Sequence, residues 1–167
     1  SSFEEKLFTK SKFADVISFD LFDTLLIRPF AKPDSVFDYI EEKVNYKYGI
    51  KNFKFMRIEA EKASRAKKNH VGDVNISEIY FAFAEIAKID FSLSRKLLEM
   101  EVNIELALLK PREYVVKLAR NLKASGKRLI IVSDTYLDKQ YIKTILSNNE
   151  IDFFDNVYIS CDIGKRK

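Results

Sequence analysis

The alternation of apolar and polar positions divides the chain into a first strand, a long helical block and a final stretch in which strands and helices alternate. Residues 15–22 (DVISFDLF) are apolar enough to predict a strand buried on both faces, as in a parallel sheet. Residues 128–136 (RLIIVSDTY) predict a second buried strand, and 156–160 (NVYIS) a third. Helical periodicity before and after the second strand completes an alternating order. This order predicts an α/β fold, with a Rossmann-like parallel sheet as its core.

Helical spacing covers residues 3–13 and most of 32–110, where no strand is predicted. The first helix of this long block starts with Asp34 or Ser35 as its N-cap, and the helix after the block starts at Pro111. Two helices of the block have clear apolar stripes, which are Val36, Phe37, Ile40 and Val44 in the first helix and Leu93, Leu97, Met100, Ile104 and Leu108 in the fourth. The aromatic residues of the third helix are expected in the core: Tyr80, Phe81 and Phe83. A helical block placed directly after the first strand predicts an inserted cap.

The composition is that of a globular protein, since 47% of the 167 residues are hydrophobic and 32% are charged. The net charge of +4 is spread over short runs of both signs, so a nucleic-acid partner is not expected. No apolar run approaches the roughly 18 residues that a membrane-spanning helix needs, so membrane insertion is not expected either. The single cysteine, Cys161, excludes an intrachain disulfide and fits a reducing, cytoplasmic compartment.

Small polar side chains follow each predicted strand. Asp20 ends the first strand, Ser133 and Asp134 end the second, and Ser160 and Cys161 end the third. Ligands bind beyond the carboxyl ends of the strands in an open parallel sheet, so we expect these groups to face one cleft. A carboxylate there can act as a nucleophile or hold Mg²⁺, and a lysine can steady the charge of a transferring group. The alternative is that Asp20 and Asp23 only cap a turn.

Three motifs resemble those of the haloacid dehalogenase-like (HAD) superfamily. The first strand ends in Asp20-Leu21-Phe22-Asp23-Thr24-Leu25, which matches the pattern Asp-x-Asp-x-Thr except at its second Asp. Ser133 matches the Ser or Thr of the second motif, and Gly164 with Lys167 matches the Gly-x-x-Lys setting of the third, with Lys165 as the alternative lysine. The resemblance implies a HAD-like core formed by residues 1–30 and 111–167, with a helical cap at 31–110.

The resemblance also implies roles for these residues. Asp20 would be the nucleophile and a Mg²⁺ ligand, and the backbone carbonyl of Phe22 would bind the same ion. Thr24 and Ser133 would bind the transferring phosphoryl group, and Lys167 would pair with the nucleophile and the phosphate. Two residues have two interpretations each: Asp134 either supports the metal or caps the next helix, and Arg28 either faces an anionic substrate or has a surface or hinge role.

Two departures from the pattern limit what the resemblance implies. Phe22 replaces the Asp that serves as general acid and base, and Asp23, one residue later, reaches the site only if the chain has already begun to turn. The fourth, acidic motif is absent, so we expect the sequence to be part of a longer protein and residues 1–167 alone to show no phosphatase activity. His70, in the loop 69–75, either reaches over the cleft or is solvated, and Cys161 is expected to be a packing residue.

Three functions remain open at this point. The leading one is a Mg²⁺-dependent phosphatase or phosphotransferase that acts on a small phosphorylated metabolite through an aspartyl-phosphate. The second is a binding or regulatory module with weak chemistry, which the replacement of the general acid by Phe22 favours. Such a module would be attached to a glycosyltransferase domain, because SFDLFDTLLIRP resembles predicted hydrolases found with glycosyltransferases and surface-polysaccharide synthesis. The third is carbon–halogen cleavage, because dehalogenases of the superfamily carry an aromatic residue at the position of Phe22.

Overall fold

The computed structural model describes residues 3–29, 34–69 and 71–165. The elements in chain order are α1 (Phe3–Ser11), β1 (Val16–Phe19), β2 (Leu26–Ile27), α2 (Ser35–Tyr48), α3 (Phe53–Lys67), α4 (Ile76–Ala87), α5 (Phe91–Leu108), β3 (Lys110–Pro111), α6 (Glu113–Ala124), β4 (Arg128–Ser133), α7 (Lys139–Asn148), β5 (Asn156–Ile159) and α8 (Ser160–Ile163). The predicted strands and helices occur in the predicted order, although the first strand, predicted at 15–22, ends at Phe19, and three short elements were not predicted: β2, β3 and α8.

A parallel sheet of three strands forms the centre of the described chain, in the order β1-β4-β5. Phe19 of β1 lies opposite Ile131 of β4, and Ser133 of β4 lies opposite Ile159 of β5. All three strands run in the same direction, so their carboxyl ends lie along one edge of the sheet. The predicted α/β fold with a parallel core sheet is confirmed.

The central strand buries Leu129 and Ile131 completely on one face, but Ile130 and Val132, which point to the other face, are only half-buried. In β1, Val16 is 47% exposed, so the prediction that these strands are buried on both faces is wrong: the described residues cover only one face fully.

A two-stranded ribbon lies where the chain leaves the sheet region and returns to it. Leu26 pairs with Pro111 and Ile27 with Lys110, in antiparallel fashion, and helices α2 to α5 lie between these two strands in the chain. The predicted helix start at Pro111 is wrong, because this residue belongs to β3 and α6 begins at Glu113. Proline is tolerated in an edge strand, where its missing N–H costs no hydrogen bond of a ladder. The division at residues 30/31 and 110/111 stays a prediction, and residues 30–33 lie outside the described residues.

The first helix of the insertion packs as predicted. It begins after Asp34, whose side chain makes no capping hydrogen bond, and its predicted stripe is buried: Val36, Phe37, Ile40 and Val44. Helix α4 departs from the prediction at one aromatic position. Tyr80 and Phe83 are buried, but Phe81 is 51% exposed and stacks on Phe91 with ring centroids 4.9 Å apart. No helix in the described part of the chain is long and apolar enough to cross a lipid bilayer.

Helix α5 is buried along a face that differs from its apolar stripe. Its buried residues are Ser94, Leu97, Leu98, Glu101, Val102 and Glu105, whereas Met100 and Ile104 are only half-buried. Two carboxylates therefore lie where the pattern of apolar residues predicts solvent. The reason is that arginines from other elements meet them: Arg57 of α3 donates to both oxygens of Glu101 at 2.8 Å. The Tyr80 hydroxyl donates to Glu101 at 2.6 Å, and burial together with this carboxylate raises the pKa of Tyr80, so the hydroxyl stays protonated as a donor.

Candidate active site

The segment after β1 forms a tight turn that places Asp20 at the edge of the sheet. The strand ends at Phe19, and the amides of Leu25 and Leu26 both donate to the carbonyl of Leu21 at 2.9 Å. Leu21, Leu25 and Leu26 are fully buried and hold the turn against the core, while Asp20 is half-buried. The apolar residues of the motif thus anchor the turn in the core and leave its polar residues nearer the surface.

Asp23 lies within this turn rather than in a strand. Its φ of +58° is in the left-handed region, which Asp tolerates better than most residues, and its side chain is exposed. Its carbonyl accepts a hydrogen bond from Arg112 at 2.9 Å, which ties the turn to the start of α6. The alternation of a regular strand therefore does not apply at Asp23. Thr24, the next residue, is half-buried.

Ser133 is the last residue of β4 and is 2% exposed. Its hydroxyl is the one buried side-chain oxygen or nitrogen that lacks a hydrogen-bond partner in the described part of the chain. A buried polar group without a partner costs about 1–3 kcal/mol, and such groups in native proteins are explained by strain, by a bound water or ion, or by a catalytic role. Asp20 and Ser133 follow neighbouring parallel strands and leave the sheet at the same edge. The structure thus brings together these two residues of the predicted site.

A cavity of about 170 Å³ opens beside this edge. Its lining combines Phe22 and Arg28, which follow β1, and the residues directly after Ser133 with two residues of the helical insertion: Phe22, Arg28, Arg65, Asp73, Asp134, Thr135, Tyr136 and Leu137. A neighbouring cavity of about 470 Å³ shares Arg28, Arg65 and Tyr136 with it. Of the two interpretations of Asp134, the helix cap is wrong, because α7 begins at Lys139 and its N-cap is Asp138. Asp134 remains as an acidic residue at the cavity.

Arg28 joins the first motif to the insertion. Its Nε lies 3.3 and 3.1 Å from the two carboxylate oxygens of Glu105 in α5, and its guanidinium lies 4.6 Å from the ring centroid of Phe22. Burial raises the pKa of Glu105 although the charge of Arg28 opposes this shift. Arg28 is therefore a largely buried residue at the cavity wall rather than a surface residue, and part of its charge is offset by Glu105.

Asp73, in the loop between α3 and α4, is a site residue that sequence reasoning missed. It is 2% exposed and accepts hydrogen bonds from the Ser160 hydroxyl, from the Arg65 guanidinium and, at 2.9 Å, from the amide of Val74. Burial disfavours the carboxylate, but the hydrogen bonds of Ser160 and Arg65 outweigh it and lower the pKa of Asp73. The only sequence signal for Asp73 is a Gly-Asp pair in a polar loop, close to His70.

The remaining candidates fall outside this arrangement or have no chemical role in it. Lys167 and His70 lie outside the described residues, and the alternative lysine, Lys165, is exposed. Cys161 is half-buried, and its Sγ donates to the carbonyl of Leu137 at 3.4 Å. Burial, reinforced by the charge of Asp162, raises the pKa of Cys161 to about 12, so the thiol stays protonated and fits the packing role expected of it.

Oxygen ligands at the sheet edge suit a hard cation. No group of three or more His, Cys, Asp or Glu side chains converges as a metal site within residues 3–29, 34–69 and 71–165. Asp20 and Asp134 follow neighbouring strands and, with the carbonyl of Phe22, offer oxygen atoms only. Mg²⁺ is usually held by one or two carboxylates and keeps several water ligands, so this set of donors fits it.

This chain is similar in structure to solved proteins, whereas the sequence comparisons find no match. No protein-family model matches the chain, and no curated protein matches it. A beta-phosphoglucomutase candidate of Thermotoga maritima is 15% identical, with a TM-score of 0.60 over 92% of this chain and 64% of that one. The L-2-haloacid dehalogenase of Xanthobacter autotrophicus with chloropropionic acid covalently bound is 16% identical, with a TM-score of 0.54 over 92% and 59%.

A predicted phosphoglycolate phosphatase of Haemophilus somnus is also 16% identical, with a TM-score of 0.52 over 87% of this chain and 62% of that one. The chain spans about three fifths of the length of these three proteins. The likeness covers 87–92% of this chain, and so extends over most of its sheet and inserted helices. The chain therefore has the haloacid dehalogenase-like fold.

Proposed function

We propose that this chain belongs to a Mg²⁺-dependent phosphatase or phosphotransferase that uses Asp20 as its nucleophile and acts on a small phosphorylated metabolite. The observation that carries the proposal is the buried Ser133 hydroxyl, which has no hydrogen-bond partner among the described residues and lies at the same sheet edge as Asp20. A phosphoryl oxygen would accept its hydrogen bond and remove the cost of leaving it unpaired. Two of the structural neighbours, a phosphoglucomutase candidate and a predicted phosphatase, carry names of the same reaction class.

The reaction would proceed in two displacements at phosphorus. A carboxylate oxygen of Asp20 attacks phosphorus, the bond to the leaving-group oxygen breaks, and an aspartyl-phosphate forms. A water oxygen then attacks phosphorus, the bond to Asp20 breaks, and inorganic phosphate leaves with the free carboxylate restored. Overall, the proton that this water gives up balances the proton that the leaving-group oxygen takes up from solvent. Ser133 and Thr24 donate hydrogen bonds to the phosphoryl oxygens in both steps. In a phosphotransferase, an alcohol replaces the water.

Charge must be balanced before Asp20 can approach a phosphate. Repulsion between unit charges at 4 Å is about 4 kcal/mol at an effective dielectric constant near 20. Asp20, Asp134 and the Phe22 carbonyl would hold Mg²⁺, which would supply positive charge that offsets this repulsion. Lys167, or Lys165 in its place, adds a second positive charge. The cation of Arg28 lies beside Phe22 at the cavity wall and favours an anionic substrate there, although Glu105 offsets part of its charge.

Phe22 determines which substrates react well. The ring cannot protonate a leaving group, and general acid catalysis is typically worth about 10²–10⁴-fold in rate. The exposed carboxylate of Asp23 is the nearest acid in the motif, and it lies in a turn rather than a strand. We therefore propose that the enzyme prefers phosphate esters whose leaving groups need little protonation, unless Asp23 supplies the proton.

The test uses two substitutions, and for the first of them stability and activity are expected to change in opposite directions. Ser133→Ala removes a buried hydroxyl that has no partner in the described structure, so the free energy of unfolding should stay equal or rise, by about 1 kcal/mol. The same change should lower kcat/KM for an aryl phosphate by roughly ten- to a hundredfold, because a hydrogen bond to a charged group is lost. Asp20→Asn should abolish turnover and the heat of Mg²⁺ binding, whereas the control Asp38→Asn, on the exposed face of α2, should change neither.

Unchanged activity in Ser133→Ala and Asp20→Asn would contradict the proposal. Asp20 is the nucleophile of both phosphoryl transfer and carbon–halogen cleavage, so either activity should be lost in Asp20→Asn. A binding module would show no turnover even in the wild type and would keep its ligand affinity in Asp20→Asn. The protein used should be the full-length one, because the chain spans only part of its structural neighbours.

Carbon–halogen cleavage is a second candidate, favoured by the aromatic Phe22 and by the dehalogenase among the structural neighbours. Asp20 would then displace halide from carbon and form an ester, which water cleaves without any need for Mg²⁺. Halide release from a 2-haloacid in the presence of a chelator separates this chemistry from phosphoryl transfer. A cytoplasmic location and association with a glycosyltransferase in surface-polysaccharide synthesis stay predictions; the single cysteine supports the first of them.

A further inference from the structure

Helix α5 leaves part of its apolar stripe uncovered. Its buried face includes Glu101 and Glu105, which meet arginines of other elements, so part of the stripe predicted for the core lies to one side of that face. Three residues of the stripe follow one another at intervals of four and are only half-buried: Met100, Ile104 and Leu108. Apolar side chains at helical spacing normally face a packing partner, so this row is a contact surface that the described part of the chain covers incompletely.

A groove of about 550 Å³ lies between this row and α2. It is lined by residues from 96–108 of α5 and 39–48 of α2, and we call it the α2–α5 groove. The half-buried row of α5 forms its apolar floor, and exposed side chains form its rim. Residues 96–108 extend over about 18 Å, or roughly three helical turns. A groove of this length with an apolar floor suits an amphipathic helix, which places residues at i, i+4 and i+7 in such a groove.

The rim of the α2–α5 groove is positively charged. Lys43 and Lys47 of α2 and Lys96 of α5 are exposed, and none of them forms an ion pair with another of the described residues. The ammonium groups of Lys43 and Lys47 lie over the rings of Tyr39 and Tyr48, 4.8 and 5.3 Å from the centroids. These rings attract the ammonium groups without neutralising them, because an aromatic ring carries no net charge. A ligand with carboxylates along its sides would therefore meet unpaired cations on the rim.

The charge and the shape of the groove together favour one kind of occupant. The described lining contains a single acidic residue, Glu99, and it pairs with Arg95 at 3.5 Å. A second copy docked groove to groove by two-fold symmetry would bring the lysines of both copies together, and like charges at an interface cost free energy. An anionic lipid surface could meet the lysines of the rim but would not reach an apolar row recessed between two helices. An acidic helix satisfies both the rim and the floor.

We propose that the α2–α5 groove binds an acidic amphipathic helix of a partner protein. The apolar residues of the partner pack on the half-buried row of α5, and its carboxylates pair with the three lysines of the rim. Charges at a rim act on the rate of association and lose their effect in high salt, whereas contacts with the apolar floor depend little on salt. Such binding is independent of the reaction proposed for Asp20, because none of the residues that line the cavity at the sheet edge lines this groove.

Fluorescence anisotropy of a labelled, designed peptide tests the proposal on the full-length protein. The peptide is a helix of about 15 residues with leucines at i, i+4 and i+7 and glutamates beside them, and its matched control carries lysine at each glutamate position. Lys43→Glu combined with Lys47→Glu reverses the charge of the rim. Lys139→Glu combined with Lys143→Glu is the control, because it changes two exposed lysines at the same spacing on α7. Ile104→Gln changes the apolar floor.

We expect reversal of the rim to raise Kd for the glutamate peptide by about tenfold or more at low salt and by much less at about 0.5 M salt. The protein with the reversed rim should bind the lysine peptide more tightly than the wild type does. Ile104→Gln should raise Kd by roughly five- to tenfold at either salt concentration, since apolar burial is lost. The control on α7 should bind like the wild type. Absence of saturable binding to the wild type, or an equal loss of affinity in the control, would overturn the proposal.

Acetylation of lysine amines, measured by mass spectrometry, shows whether another occupant already fills the groove. In the free full-length protein, the three lysines of the rim should react about as fast as Lys139 and Lys143, and the glutamate peptide should slow only the rim lysines. Slow reaction of the rim in the free protein would show that a second copy or another segment of the same protein covers it, and would overturn binding of a partner's helix. Binding to phosphatidylglycerol vesicles without binding of the peptide would overturn it in favour of a lipid surface.

Discussion

The pair formed by Arg57 and Glu101 offers the sharpest test of how the insertion is held together. Both side chains are fully buried, and both nitrogen–oxygen contacts between them are 2.8 Å. The guanidinium also lies 4.8 Å from the ring centroid of Phe37 and 4.9 Å from that of Tyr136. Arg57→Met keeps an unbranched side chain of similar length but leaves the Glu101 carboxylate with the Tyr80 hydroxyl as its remaining hydrogen-bond donor in the described structure.

The expected loss of stability follows from this burial. Removing one partner of a buried ion pair typically costs about 3–5 kcal/mol, because the other charge stays in a medium that solvates it poorly. A domain of this length loses roughly 2–4 °C in Tm for each kcal/mol, so Tm should fall by about 6–20 °C. A loss of this size is a large part of the roughly 5–15 kcal/mol that stabilises a typical domain.

Urea unfolding measured by circular dichroism gives the loss in free energy of unfolding caused by Arg57→Met, with Arg95→Met as control. Arg95 pairs with Glu99 at 3.5 Å, but these side chains are 81% and 57% exposed, and an exposed pair contributes about 0–1 kcal/mol. The double variant Arg57→Met with Glu101→Leu should recover most of the loss, since no buried charge is left. The free energy of unfolding of this double variant should still be about 1–3 kcal/mol below that of the wild type, because the Tyr80 hydroxyl loses its acceptor. Adding Tyr80→Phe should restore that part. A loss in Arg57→Met no larger than in Arg95→Met would refute the reasoning.

Three further predictions address the site. Phe22→Asp in the full-length protein should raise aryl phosphate hydrolysis by about 10²-fold or more, most for poor leaving groups, because it restores a general acid; an unchanged rate with an intact fold would show that Asp23 or water already serves. Cys161 should react with iodoacetamide at pH 8 roughly a thousandfold more slowly than in urea, since its pKa is raised to about 12; equal rates would contradict its burial. The pKa of Asp73 is lowered from its ordinary value of 3.8, so its contribution to stability is complete above that value and is lost as the pH falls through the folded-state pKa. The difference in Tm between wild type and Asp73→Asn should therefore shrink as the pH falls from about 5 toward 2, and a constant difference would exclude this linkage.

Local pattern was sufficient for the main strands and helices and for the sheet edge at which the site is proposed. The strands predicted at 15–22, 128–136 and 156–160 form at 16–19, 128–133 and 156–159, and they and the stripe of α2 were predictable because side-chain alternation and helical spacing depend on neighbours in sequence. Asp20 and Ser133 could be placed at one edge because parallel strands end on the same side of a sheet. The conformation of Asp23 could not be predicted, since its φ depends on how the turn closes on Leu21.

The sequence by itself therefore determined the order of elements, the parallel sheet and the two motif residues that meet at its edge. Only the tertiary structure decided which charges are buried. Four residues look in the sequence like charged residues of solvated helix faces and loops: Arg57, Asp73, Glu101 and Glu105. A charged side chain gives no local sign of the partner that it will meet in the fold. Glu101 is 44 residues from Arg57, and Asp73 is 87 residues from Ser160. A charge is stable in a protein interior only when such a partner arrives through the fold, so the position of these residues is a property of the packed chain and not of any segment of it.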